Sequence, residues 1–104
     1  MNRTRLEILQ EMAAATPDNS FIRYGLAMEY RNLGDLESAV REFRALIAAD
    51  PDYPAAYFQA GQTLERLGRP AEAAALYRQG MEAASRKGDL HAREEMQAAL
   101  ELLS

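Results

Sequence analysis

The chain repeats itself every 34 residues, and this constrains its fold more than any other feature of the sequence. Pro17 and Pro51, Gly34 and Gly68, and Ala39 and Ala73 each stand 34 positions apart. Tyr24 and Phe58, Ala27 and Gly61, Leu33 and Leu67, and Phe43 and Tyr77 keep the same interval, and the turn pair Pro17-Asp18 recurs as Pro51-Asp52. A fixed period of this size marks supersecondary units that cannot bury their apolar faces alone and must stack on one another.

Within each unit the apolar residues follow helical spacing. Leu36, Ala39, Val40, Phe43, Leu46 and Ile47 fall on one stripe of a helix. Upstream, Ile22, Leu26, Ala27, Tyr30 and Leu33 form a second stripe, which stops at Asn32-Leu33-Gly34, where glycine can take the left-handed cap. The two patterns read as a helical hairpin. The second unit runs from Pro54 to Leu67, breaks at Gly68 and restarts at Pro70. Proline suits a first helical turn because its missing N–H would have had no partner there. At the N-terminal side, Thr4-Arg5-Leu6-Glu7 reads as a capping box, and Leu6, Leu9, Met12 and Ala13 lie 34 positions before Val40, Phe43, Leu46 and Ile47. At the C-terminal side, Gly88-Asp89 ends one helix and caps another, with Leu90, Met96, Leu100 and Leu103 as a thinner stripe. The expectation is an all-α chain of about six helices forming one domain over 1–104. It consists of an N-terminal half-repeat helix at 1–16, repeats at 20–53 and 54–87, and a capping helix at 88–104.

Composition agrees and excludes several function classes. The chain is rich in Ala, Leu and Glu, side chains that lose little freedom in a helix, and lacks runs of strand-favouring residues. A net charge of −4 with no basic stripe argues against nucleic acid. With no cysteine there is no disulfide, thiolate metal site or thiol nucleophile, which fits a reducing compartment. The N-terminal stretch carries charges among its apolar residues, and no long apolar run occurs, so neither a signal peptide nor a membrane span is readable. The expectation is a cytoplasmic protein.

A two-helix unit of this length and pattern resembles the tetratricopeptide repeat. In the first unit Leu26, Ala27, Tyr30, Gly34, Ala39, Phe43 and Pro51 match the family's large, small, aromatic, turn, small, aromatic and closing positions. In the second unit Tyr57, Ala60, Gly61, Leu64, Gly68, Ala73 and Tyr77 match, with Tyr57 where the family often has Trp. The departures are Arg23 in place of an early aromatic, Leu46 and Gly80 in place of a usual alanine, and Ser85 in place of the closing proline. The resemblance implies a right-handed superhelix of stacked antiparallel hairpins, and a protein-interaction role with no cofactor.

The resemblance also implies that the first helix of each unit lines the concave surface. On that face, off the inward stripe, stand Phe21, Tyr24, Met28 and Arg31, then Ala55, Phe58, Gln62 and Glu65 with Gln59 and Arg66 flanking. One reading makes them a groove for a peptide or helix of a partner protein, anchored by Tyr24 and Phe58. The other has Tyr24, Met28 and Phe58 packing against neighbouring helices. Lysine and asparagine side chains that clamp a peptide's carboxylate in some family members are not at the matching positions. His91, Glu94 and Glu95 share a helix but lack a third metal ligand, and read as a solvated face. No phosphate loop, nucleophile elbow or base-and-nucleophile pair occurs, so no reaction is assigned. The leading expectation is a scaffold that binds a protein partner. The alternative is a homodimer formed through the terminal helices.

Overall fold

The computed structural model describes residues 2–103. They form six helices: α1 (Arg5–Ala15), α2 (Ser20–Asn32), α3 (Leu36–Ala49), α4 (Pro54–Arg66), α5 (Pro70–Lys87) and α6 (Leu90–Leu102). The helix starts are written in the sequence. The Thr4 hydroxyl accepts the Glu7 N–H at 3.1 Å while the Glu7 carboxylate accepts the Thr4 N–H at 3.2 Å, a complete capping box. Asn19, Asp35 and Asp89 cap α2, α3 and α6 in the same sense by accepting the N–H groups of Ile22, Ser38 and Ala92. α4 and α5 have no side-chain cap and begin instead on Pro54 and Pro70. At the opposite ends, Gly34, Gly68 and Gly88 have φ of +82°, +73° and +71°. The N–H of the following residue reaches back to a carbonyl five positions upstream, Asp35 to Tyr30, Arg69 to Leu64 and Asp89 to Ala84.

Consecutive helices pack pairwise along the chain, and α4 also touches α6. α4 and α6 thus approach one another across α5. The core is continuous: Ala39, Val40, Phe43 and Leu46 of α3 meet Ala56, Tyr57, Ala60 and Leu64 of α4 and Ala73, Leu76 and Tyr77 of α5. Phe43, Leu46, Leu64 and Tyr77 are wholly buried, and truncating any of them to alanine should cost about 2–5 kcal/mol.

The repeating proline turns are tied to the helices that follow them. Tyr57 donates its hydroxyl to the Pro51 carbonyl at 2.7 Å, and Arg23, 34 positions earlier, donates its Nε–H to the Pro17 carbonyl at 2.6 Å. Arg23 departs from the family pattern in shape but supplies a donor to the equivalent carbonyl. Arg86 adds an Nε–H to Asp52 at 2.5 Å, so the second turn is held from α4 and from α5.

Both ends of the stack depart from strict repetition. α1 has no fully buried residue: Leu6, Leu9 and Ala13 are partly covered and Met12 is 43% exposed, although their counterparts on α3 are sandwiched between α2 and α4. Leu33 and Leu90, expected on apolar stripes, are exposed. Leu33 is the residue after the last turn of α2, and Leu90 is the first residue of α6, so each points past the packed face. α6 is held instead by Met96 and Ala99, with Ala92, Leu100 and Leu103 partly buried beside them. α5 has 18 residues against 14 in α3, since Ser85 stands where a proline would have stopped it.

Two glycines set the helix spacing. A Cβ on Gly61 would overlap the Tyr77 ring and lie 2.7 Å from its Cζ, and one on Gly80 would lie 2.6 Å from the Tyr57 Cβ and overlap the Met96 sulfur. Gly25, in the middle of α2, has only the Leu9 side chain at 3.6 Å, an ordinary contact. Urea unfolding should therefore show Gly80→Ala destabilising by about 1–3 kcal/mol through overpacking. Gly25→Ala should stabilise by about 0.5–1 kcal/mol, because it removes chain entropy without a clash.

Candidate site on the face of the first helices

The candidate residues of α2 and α4 fall into two linked clusters. Tyr24 stacks edge-on to Phe43 with centroids 6.0 Å apart and lies 5.6 Å from Tyr53. Phe58, its counterpart, lies 6.2 Å from Tyr77. Each aromatic thus extends the core to the surface of the first-helix layer, and Tyr24 is more committed to packing than Phe58, because it has rings on two sides. Burial pushes the Tyr24 hydroxyl above its ordinary pKa, opposed by its hydrogen bond with Gln59. Met28 is partly buried against the core.

The polar residues are joined rather than free. Arg31 donates to the Gln59 side-chain oxygen, tying α2 to α4. Gln62 donates to the Tyr77 hydroxyl at 2.6 Å, and that hydroxyl donates to Glu65. The ring reaches this network because it lies across Gly61. Burial, and then the hydrogen bond and charge of Glu65, push the Tyr77 pKa upward, since a phenolate would be formed out of water beside a carboxylate. Phe21 is 76% exposed and Arg66 is also exposed.

An open apolar concavity lies further along the same face, between the start of α4 and α6. Its volume is about 240 Å³, Ala55, Phe58 and Ala92 supply the apolar surface, and Gln59, Asp89, His91 and Glu95 rim it. Ala55, Phe58 and Gln59 are where helical spacing places them, whereas His91 and Glu95, expected on a solvated face, also border the concavity. The missed signal is register. α4 begins 34 residues after α2 but α6 begins 36 after α4, so His91 and Glu95 correspond to Ala55 and Gln59. The His91 imidazole stands 3.4 Å from Glu95, and no group of three or more His, Asp or Glu among the described residues could hold a metal ion.

A stack of hairpins whose first helices share one partly apolar, polar-rimmed face defines a helical-repeat protein. A family model described as tetratricopeptide repeat matches residues 24–87, and the chain belongs to that family. It is similar to a TPR repeat-containing protein of Pseudomonas aeruginosa, 33% identical over 98 residues, covering 94% of this chain and 93% of that one. Among solved structures it resembles a tetratricopeptide repeat domain protein from Salinibacter ruber, with 34% identity, TM-score 0.80, and 85% and 89% of the two chains covered. The fold also matches the Yersinia enterocolitica type III secretion chaperone SycD, solved in complex with a peptide of the translocator YopD. There the identity is 19%, the TM-score 0.85, and coverage 94% of this chain and 76% of SycD.

The buried Tyr77 hydroxyl gives a pH signature. Its folded-state pKa is raised above the unfolded value of about 10, so above that pH the unfolded chain releases a proton that the folded chain keeps. Its contribution to stability is complete below pH ~10 and declines as the pH climbs further. Tyr24, Tyr53 and Tyr57, also raised by burial, add to the decline. Chemical unfolding between pH 9 and pH 11, on the order of one pH unit either side of the tyrosine midpoint, should show a shallower fall for Tyr77→Phe than for the parent chain. Below that range the variant should be less stable by about 1 kcal/mol, because Gln62 and Glu65 lose their partner.

Proposed function

We propose that this protein is an adaptor that binds a peptide or helix of a protein partner on the face shared by α2, α4 and α6. In this reading, repeats 20–53 and 54–87, flanked by the helices at 1–16 and 88–104, wind as a right-handed superhelix with that face on its concave side. The protein works in the cytoplasm, binds neither nucleic acid nor membrane, and catalyses no reaction. The observation that carries the proposal is the apolar concavity around Phe58, a large side chain left partly open to solvent beside Ala55 and Ala92 and encircled by polar groups. Centrally placed aromatics in such surroundings are where binding energy concentrates. A fold shared with SycD, which was solved with a partner's peptide, points the same way. Among the described residues no helix is long and apolar enough to cross a membrane.

The test uses two substitutions that spare the Tyr24 packing. Phe58→Ala removes the anchor, and Ala55→Gln fills the concavity from an exposed position. Against the partner captured on the tagged chain from its native cell, titration calorimetry should show each variant weakened tenfold or more, about 1.4 kcal/mol. Unchanged affinity in both variants, with circular dichroism reporting intact helices, removes the groove assignment.

A second reading, a homodimer through the terminal helices, is favoured by one observation: Ile8 and Met12, one helical turn apart on α1, are both exposed, as is Leu102 on α6. Light scattering should then show a dimer that Ile8→Glu or Leu102→Glu returns to a monomer. A parent chain that stays monomeric at high concentration removes this reading.

A further inference from the structure

We infer that the groove between α4 and α6 takes a segment of a partner protein that carries a lysine or arginine next to its apolar anchor residue. The inference rests on the groove reading above and adds the chemistry of the occupant. A cavity of about 240 Å³ is smaller than the roughly 300–1,000 Å³ usual for small-molecule sites, so it suits a few side chains of a docking segment better than a cofactor. Its apolar surface from Ala55, Phe58 and Ala92 receives an aliphatic or aromatic side chain.

The rim fixes the charge. Asp89 and Glu95 border the cavity, and no lysine or arginine does. Several carboxylates elsewhere are paired with guanidinium groups: Glu72 with Arg69 and Arg44, Glu37 with Arg69, Asp52 with Arg86 and Glu29 with Arg5. At the groove, Asp89 accepts only a backbone N–H, from Ala92 at 3.0 Å. The neighbour of Glu95 is the His91 imidazole, a cation only when protonated. The guanidinium on the same helix, Arg93, is turned away to Ser85 at 3.0 Å. Lys87 is absent from this lining but borders the adjoining outer cavity together with Asp89, Tyr53 and Pro54, so the acidic character of the groove rests chiefly on Glu95. A cationic side chain arriving beside an anchor in the Phe58 concavity therefore meets the Glu95 carboxylate, which has no arginine or lysine partner among the described residues, with Asp89 beyond it, whereas an acidic segment is repelled. The same carboxylates disfavour a phosphate backbone, and a second copy of the chain brings a net charge of −4 to the encounter.

The experiment is a selection of random twelve-residue peptides displayed on phage, an operational length of about three helical turns, against the full immobilised chain. Glu95→Lys and Phe58→Ala chains are run in parallel. The Glu95 side chain is 46% exposed, so its reversal leaves the core untouched. The expected result is enrichment of lysine or arginine beside an aliphatic or aromatic residue. The selected peptides should bind Glu95→Lys about fivefold or more weakly, and selection on that variant should turn towards aspartate and glutamate. Peptides that need Phe58 but show no charge bias, or whose affinity ignores Glu95, overturn this inference and leave the groove standing. Peptides that bind the Phe58→Ala chain as tightly as the parent, or a selection that enriches nothing over bare resin, overturn the inference and the groove together. A dimer of the parent chain that Glu95→Lys disperses would identify a second copy as the occupant, and also overturns it.

Discussion

The stack depends on close approach at two glycines. Gly61 lets the Tyr77 ring lie on the backbone of α4, and Gly80 lets α5 fit between Tyr57 on one side and Met96 on the other. Both contacts involve side chains that are almost or wholly buried, so there is no slack to absorb an added methyl group. Both set how near α5 comes to α4, and Gly80 also sets how near α6 comes to α5. With α5 drawn close to both neighbours, α4 also touches α6, and the groove lies between them. A hydroxyl at the far end of the Tyr77 ring then reaches the first-helix face, so the same close packing supplies the Gln62–Tyr77–Glu65 network.

Hairpin is joined to hairpin by a different device. The carbonyls of the exposed turn residues Pro17 and Pro51 each accept a donor from the first helix that follows, which ties the turn to that helix. One donor is a guanidinium and the other a phenol. The requirement is therefore for a long side chain ending in an N–H or O–H, and an aromatic ring is one way of meeting it. In the second turn Arg86 adds contacts from α5, so the junction between the two full hairpins is bonded from both α4 and α5.

The fold was legible because its determinants are local in sequence. Caps at Thr4, Asn19, Asp35 and Asp89, prolines at 54 and 70, left-handed glycines and a 34-residue interval are all readable without knowing what touches what. Residues at helix ends were less so. The period assigned Leu33 and Leu90 to buried stripes, but whether a terminal residue is covered depends on where the next helix crosses, and both are exposed. On the candidate face, spacing placed Tyr24, Arg31, Phe58, Gln59, Gln62 and Glu65 together. It did not reveal that Arg31 is bonded to Gln59, or that Gln62 and Glu65 share a tyrosine from the other helix layer, since those are contacts between elements.

The part of the groove contributed by α6 was hidden for a reason that can be traced to one residue. α3 ends at Ala49 just before Pro51, whereas α5, with Ser85 at the corresponding position, continues to Lys87. The helix is four residues longer, and the connection that follows it is Gly88 and Asp89 alone, against residues 50–53 after α3, so α6 is displaced by two residues from the register of the repeat. Two residues are about 200° around a helix. A reading that carries the 34-residue period into α6 therefore assigns nearly the opposite face to the groove, whereas the 36-residue offset sets His91 and Glu95 where Ala55 and Gln59 stand one hairpin earlier. The missing proline thus does more than blur the end of the pattern. It brings an imidazole and a carboxylate to a face that in α4 carries an alanine and an amide, giving the α6 end of that face polar groups that the repeat itself does not encode.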